Sequence, residues 1–504
     1  MKKVVIFGAG ISGLTVAHQL SLLPDYEIHI YEKQNDIGGL AKSKRDINGC
    51  ATEICWRVFF GFYDNLFQLM KEIPADENTV HNNLTLYTHK NLVDTKISAH
   101  DLILAYGNII YGLTSCDERL QEHDRISWWQ SLGITTSSNI YREIGPWLGM
   151  DRYCGSYYSV IRVGMEMQMI PSLLHPNYHD YITTKPTSEA WFSHWKRLLE
   201  QRGVSIHTNA PLESLSITGH RIISATVNSS EITADHYVIA MPVEALSELI
   251  DKIPQLNIGD LQNIKPLKQT SLHTQLSFQV YFNRRINLGV RAFLLVDSPW
   301  DLIVLSYDET YLNNLCTYLP QVRGGWSVAV CTAYTQGIVY GKPFNECSYD
   351  EIIEELWTQL SRSKSLQDVI NGQLLKEWIV KWSPMWYQAE PKFTNNVGSL
   401  KLRPSFRTPF DNMFIATAYI RETIDIFSME GAVIAGKYVA HAIDDDAPIP
   451  TIKGRPLLLF PFRSLDYILY KIGIPNISFL ILILILIPII LKGPTLNNNF
   501  LRRI

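Results

Sequence analysis

The sequence predicts an α/β fold organised on a parallel sheet, with a second, substrate-type domain inserted into it and a hydrophobic tail. Three observations carry that prediction. The chain opens on a strand, glycine turn, helix and second strand (Lys3 to Glu32). It runs to 504 residues, too long for one ordinary core, so two or three domains are expected. From Pro448 onward it turns basic and strongly apolar.

The opening unit is read residue by residue. Lys3 to Phe7 is an apolar run suited to a buried parallel strand. Gly8-Ala9-Gly10-Ile11-Ser12-Gly13 follows, then Leu14, Ala17 and Leu20 at helical spacing. Pro24-Asp25 breaks the helix, and Glu27 to Tyr31 forms a strand ending on Glu32 and Lys33. Gly8 permits the tight turn, Gly10 leaves room for a pyrophosphate, and Gly13 lets helix and strand approach. The first helical turn, which holds Ser12, supplies unpaired N–H groups to phosphates. Glu32 sits where a carboxylate accepts from ribose hydroxyls. Strand, turn, helix and acidic terminus in register predict a dinucleotide site.

Composition narrows the remainder. With 46% hydrophobic and 19% charged residues the chain is globular, and no internal repeat or low-complexity tract is visible. The segment from Pro448 holds Lys453, Arg455, Arg463, Lys471, Lys492, Arg502 and Arg503 against Asp466 alone, so the body is acidic in a chain of net charge −4. An acidic body with a basic, apolar tail points to a membrane surface and away from nucleic acid. The seven cysteines (50, 55, 116, 154, 316, 331 and 347) show no zinc spacing. They are expected to be buried free thiols in a reducing, cytoplasmic compartment, and no metal site is expected. With the first strand at residue 3, no targeting segment is expected before it.

Gly38, Gly39 and Leu40 follow closely on Glu32. A second glycine pair at this place resembles the two-dinucleotide-binding-domain flavoproteins, in which the loop closes over the cofactor pyrophosphate. That resemblance implies FAD rather than NAD. Further on, Arg57-Val58-Phe59-Phe60-Gly61-Phe62-Tyr63 leads into Asp64-Asn65-Leu66-Phe67-Gln68-Leu69-Met70. The run is an aromatic turn feeding a helix with Leu66, Leu69, Met70 and Ile73 on one face. It is similar to the HxFFGxYxNLFxLM-like run of the plant and cyanobacterial carotene desaturases, with Arg57 in place of the histidine. The resemblance implies that Arg57, Val58 and Tyr63 line the flavin and its phosphates. An arginine there suits bidentate pairing with a pyrophosphate.

The domain scheme follows that family: FAD-binding segments at 1–75, 195–260 and 395–447, substrate-domain segments at 76–194 and 261–394, and a tail at 448–504. The first substrate segment carries Trp128, Trp129, Tyr157, Tyr158, Trp191 and the Met-rich Met165 to Met169, read as core or as the wall of an apolar tunnel. Short strands at Gly203–Ile206 and Leu212–Leu215, a hairpin at Arg221–Val227 and Glu231–Thr233, and a buried strand at Tyr237–Pro242 return the chain to the first sheet and close it. By resemblance, the backbone near Leu212 meets the adenine. Thr274 to Phe282 alternates at period two, as a half-buried strand does. Trp326 to Ala333 is another strand, and Ser348 caps a helix over Tyr349–Leu360. Trp382, Trp386 and Tyr387 form an aromatic cluster, core or cavity wall.

The closing segment is a strand from Asn412, a loop, and Ser428-Met429-Glu430-Gly431-Ala432-Val433 opening a helix. It resembles the SMEGAV motif shared by carotene desaturases and flavin amine oxidases, which implies that Met429 and the helix N-terminus meet the flavin ring. Thr417-Ala418 stands where that family usually has Gly-Asp or Gly-Ser. The whole is expected to be a Rossmann-type FAD flavoprotein with an inserted α+β substrate domain and a hydrophobic tail helix. Residues 472–491 are long and apolar enough for a membrane anchor. The expected function is FAD-dependent, desaturase- or isomerase-like oxidation of a long apolar polyene or isoprenoid, with an unassigned electron acceptor and no catalytic acid or base assigned. A flavin amine oxidase is the alternative. A non-catalytic flavin-binding membrane protein is the third reading.

Overall fold

Alternating apolar side chains on a strand with two covered faces bury completely, and Lys2–Phe7 (β1) does so from Val4 to Phe7. The computed structural model describes residues 1–478 except 54–56, 92–98, 132–154, 176, 274–276, 296, 309–310, 312–314, 333–334 and 384–391, together with 480, 481 and 484. The chain divides into two units. The first holds residues 1–93, 179–394 and 401–452, and the second holds 94–178, 395–400 and 453–504.

In the first unit, β1 is followed by α1 (Ile11–Leu20) and β2 (Tyr26–Tyr31). A hairpin of β3 (Ser43–Arg45) and β4 (Ala51–Glu53) precedes α2 (Asp64–Lys71) and a short strand, β5 (His89–Asn91). The parallel sheet places β1 between β2 and β7 (His236–Ile239), with β6 (Ser205–His207) beyond β2 and β13 (Met413–Ile415) beyond β7. Contrary to what its sequence suggests, the Tyr237 strand does not close the sheet. It lies inside, and β13 forms the edge. Only three apolar residues mark β13 in the sequence, and its position is set by what it pairs with.

α5 (Met429–Ile443) follows β13 and packs on α1. The contact is close because Gly436 lacks a side chain: a Cβ there would lie 2.6 Å from Thr15 Cβ and 2.7 Å from the Ser12 carbonyl oxygen. Glycine at that crossing draws the N-terminal ends of α1 and α5 toward one region.

The second sheet of this unit has six strands in the order β12 (Ile379–Ser383), β8 (Ser277–Phe282), β11 (Gly324–Ala329), β10 (Ile303–Ser306), β9 (Ala292–Leu294) and β5. Every pairing is antiparallel except that of β9 with β5. β8 is buried along its whole length rather than on one face. Its polar side is covered too: Tyr281 donates to the Ala51 carbonyl, and Gln279 Nε2 donates to the Glu53 carbonyl at 3.0 Å. The alternation is real, but the second face meets β4 instead of water. α4 (Tyr349–Arg362) begins as expected, with Ser348 and Glu351 forming a reciprocal capping box. Trp382 packs on the core beneath this sheet. Trp386 and Tyr387 lie outside the described residues.

The expectation of free thiols fails at one pair. Cys50 and Cys316 are joined by a disulfide across 266 positions of sequence, a pairing no spacing motif announces. Cys116 is a free, buried thiol, and Cys331 and Cys347 are buried as well. Cys55 and Cys154 lie outside the described residues.

The described residues of the second unit are mostly helical. α3 (Ala99–Thr114) packs on the segment Val160–Met169, which is wound as a π-helix. Ile109, Leu113, Trp128, Tyr157, Ile161 and Met165 share one core, so Met165 of the Met-rich run packs as core. α6 (Phe460–Lys471) closes this unit. Of the apolar helix expected over 472–491, residues 479, 482, 483 and 485–491 lie outside the described residues, and its first turns, 472–477, are not helical. Gly473 adopts φ of +74°, and no helix among the described residues is long and apolar enough to cross a membrane.

The glycine crossing yields a test. Gly436→Ala is expected to destabilise the chain by about 1–3 kcal/mol through overpacking. Gly107→Ala, where nothing lies within 4 Å of the new Cβ, is expected to be neutral or stabilising. Thermal unfolding of both variants against the parent chain measures the difference.

Candidate functional site

Two glycine loops face each other at the end of β1. Gly8 adopts φ of +114°, and a Cβ there would meet the Ala240 carbonyl oxygen at 2.3 Å. Gly13 is equally closed, with a Cβ placed 2.1 Å from the Gly8 carbonyl oxygen. Gly10 is different: its Cβ would meet only Gly39 Cα, at 4.0 Å. From the opposite side a Cβ on Gly39, at φ of +54°, would come 3.1 Å from Gly10 Cα. The loops are joined by the Gly38 N–H donating to the Ala9 carbonyl at 2.8 Å. Bare backbone on both sides, with the uncapped N-terminus of α1 between, is a cradle for a pyrophosphate. Ser12 is buried in that first turn.

Glu32 organises the adenosine end. Its carboxylate accepts the Ala9 N–H at 2.8 Å and the Gln34 N–H at 2.9 Å, so it holds the first glycine loop to the end of β2. Each carboxylate oxygen retains a further acceptor direction for a ribose hydroxyl. Lys33, next to it, is exposed. Leu212 opens the strand Leu212–Thr218 and lies half-buried against the core beside the parallel sheet.

Leu40, Arg57 and Val58 are brought together at the second loop. Arg57 donates to the Leu40 carbonyl at 2.7 Å and forms an ion pair with Glu53. It also donates to Thr187 Oγ1 at 3.3 Å and to the Lys42 carbonyl at 3.5 Å. The guanidinium therefore braces the carbonyl side of the glycine loop. Glu53 is itself buried, and accepts from the Thr187 N–H at 3.0 Å and the Tyr311 hydroxyl at 3.2 Å. Val58 is buried beside Phe59.

The other end of the site is built from the aromatic turn and α5. Phe60 and Phe62 stack with ring centroids 5.5 Å apart, and Tyr63 meets both edge-on. The Tyr63 phenol is held far above its ordinary pKa by burial, and its hydroxyl reaches the Ser428 side chain. Ser428 caps α5 by accepting the Gly431 N–H at 3.2 Å. Met429, the first residue of α5, is half-buried. Thr417 and Ala418 are buried at the C-terminal end of β13, and Ala418 Cβ lies 3.5 Å from where a Cβ on Gly431 would be. The helix N-terminus offers positive potential at this end.

Two carboxyls here, buried Glu430 and half-buried Asp180, escape sequence reasoning. Glu430 accepts from the Asn65 N–H, Asn65 Nδ2 and the Leu66 N–H at 2.7 to 3.0 Å, and so caps α2 from the first turn of α5. Burial pushes its pKa up to about 6. Asp180 accepts the Gly61 N–H at 2.8 Å, and burial pushes its pKa up to about 6 against that bond. The glutamate of the SMEGAV run was in view but its partner was not; Asp180 carries no local signal.

The residues present fit a flavin dinucleotide in one concrete respect, the paired glycine backbones that a Cβ would fill. A bound flavin accepts hydride. Were it bound, this chain's residues would cradle, orient and cover it: glycine loops at the phosphates, Glu32 at the ribose, and the α5 N-terminus at the ring.

Comparison with known proteins gives two family matches. Residues 6–73 match the NAD(P)-binding Rossmann-like domain, and residues 193–444 match the model described as flavin containing amine oxidoreductase. The chain is similar to zeta-carotene desaturase of Synechocystis sp., 24% identical over 88% of this chain and 97% of that one. It is similar to 15-cis-phytoene desaturase of Synechococcus elongatus, 22% identical over 90% of this chain and 99% of that one. Among solved structures, putrescine oxidase bound to putrescine shares the fold with a TM-score of 0.60, at 14% identity over 88% of this chain and 98% of that one.

Two variants test the site. Gly10→Val is expected to leave the fold standing, because little lies near its Cβ, while preventing flavin retention; normal flavin absorbance in the purified variant contradicts the cradle. Asp180→Asn keeps an acceptor for Gly61. The folded pKa of Asp180 is raised, so its stabilising contribution is full below about pH 4 and is lost as pH rises through about 6. Near pH 8 the variant is therefore expected to equal or exceed the parent by up to about 2 kcal/mol, with the difference vanishing in acid. Chemical denaturation across pH measures this.

Proposed function

This chain belongs to the flavin containing amine oxidoreductase family, and within it we propose an FAD-dependent desaturase- or isomerase-like enzyme acting on a long apolar polyene or isoprenoid. The observation that carries the reading is the residue before Met429. In amine oxidases an aromatic side chain often stands there as one wall of a cage for the amine. Here Ser428 stands there, spent on capping α5 and contacting Tyr63.

Supporting this, Phe60, Phe62 and Tyr63 pack together in the turn before α2. An aromatic cluster beside the site suits an extended hydrocarbon that has no charge to recognise. FAD rather than a smaller flavin follows from the pair of glycine loops and Glu32, which an adenosine diphosphate moiety would occupy. The similarity to zeta-carotene and phytoene desaturases over nearly their whole length favours the same substrate class. The electron acceptor is left open.

The test is anaerobic bleaching of the purified flavoprotein. Loss of the oxidised-flavin band is expected with conjugated polyenes and not with primary or polyamines. Bleaching by amines alone sinks the desaturase reading and leaves the amine oxidase one.

A further inference from the structure

α6 is turned inside out. Two of its three charged residues point inward, Lys471 being exposed: Asp466 is fully buried, accepts the Cys116 N–H at 2.8 Å and pairs with Arg119 at 3.0 Å. Arg463 is buried as well, donating to the Pro456 carbonyl and lying 3.6 Å from Glu166. Just before the helix, Arg455 pairs with Glu166 at 2.7 Å. Its outward side is apolar. Leu457, Leu458, Phe460, Ile468 and Ile472 are 84%, 77%, 60%, 60% and 64% exposed. A surface helix in water carries the opposite arrangement. Contiguous exposure on this scale marks an interaction surface.

The chain after α6 excludes one way of covering that face. Asn476 Nδ2 donates to Tyr111 O at 3.2 Å, Thr114 Oγ1 at 3.3 Å and Ser115 Oγ at 3.1 Å. Ser478 Oγ reaches the Thr114 carbonyl at 3.4 Å. Both residues are buried, so the tail is pinned to the C-terminal end of α3. What remains of the apolar run after Ser478 would span roughly 20 Å as a helix, against about 30 Å for a hydrocarbon core. Yet the apolar face continues through Ile474, Ile477, Leu480, Ile481 and Leu484, all exposed.

We propose that α6 and its flanks lie in the plane of an anionic phospholipid bilayer, with the apolar face in the acyl boundary, so that the chain is held on one leaflet and does not span it. Charge selects the occupant. The segment from Pro448 holds seven basic residues and one acid; Arg455 and Arg463 face inward to Glu166 and the acid, Asp466, is buried, which leaves five bases and no acid for a surface. At the edge of the apolar face Lys471 Nζ lies 5.0 Å from the Tyr467 ring, an aromatic and cationic pair suited to the headgroup level. This inference stands independently of the flavin chemistry.

The experiment is flotation of the full-length chain with vesicles of phosphatidylcholine, with and without phosphatidylglycerol. The chain is expected to float with the anionic vesicles and to resist high salt, because the insertion is apolar. Leu458→Glu with Ile468→Glu, both outward-facing, is expected to cut the floated fraction at least about tenfold while flavin content and circular dichroism stay unchanged. In a chain carrying Arg503→Cys, a membrane-impermeant maleimide is expected to label intact vesicles, above the parent's background, as fully as detergent-opened ones. Protection until detergent is added means spanning and overturns the in-plane reading. So does a chain that ignores vesicles, or one that forms dimers which the double variant returns to monomers.

Discussion

The candidate site depends on one close helix crossing. α1 and α5 come from opposite ends of the first unit's sequence, yet Gly436 lets them approach until a single added Cβ would sit 2.6 Å from Thr15. Because the first glycine loop begins α1 and Met429 begins α5, that contact sets the separation between the phosphate cradle and the helix N-terminus at the ring end. A cofactor longer than either loop can only be held if the two ends keep a fixed spacing. The parallel sheet fixes the direction of both helices, and the glycine fixes their distance.

Around that crossing, buried carboxylates act as ties between segments far apart in the chain. Glu32 joins the first loop to β2, Glu53 joins β4 to Thr187 and Arg57, and Glu430 joins α5 to α2. Each is satisfied by backbone N–H groups or by an arginine, as a buried charge requires. Arg403 does similar work for the loop between β13 and α5, donating to the Ile420 carbonyl at 2.8 Å and pairing with Asp425 at 3.2 Å. The loop that carries Thr417-Ala418 into Ser428 is thereby held by protein contacts rather than by an acid at position 418.

What was legible in the sequence was local. The glycine turn, α1, β2, α2 and the capped start of α4 are written in adjacent residues, because turn geometry, helical spacing and capping act over a few positions. What was not legible was the identity of distant partners. Asn65 meets Glu430 across 365 positions, and Cys50 meets Cys316 across 266. β8 reads as half-buried because its alternation says nothing about β4 covering the second face. The tail shows the same limit: the apolar run suggested a crossing helix, but Asn476 and Ser478 have partners on α3, and Gly473 ends α6.

Two facing glycine loops and Glu32 are placed to hold the adenosine diphosphate part of a flavin dinucleotide. The most direct measurement is to purify the chain, release the cofactor by denaturation, and identify and quantify it by mass. FAD at one per chain is expected. Flavin mononucleotide, a nicotinamide dinucleotide, or no cofactor after reconstitution with FAD would contradict it.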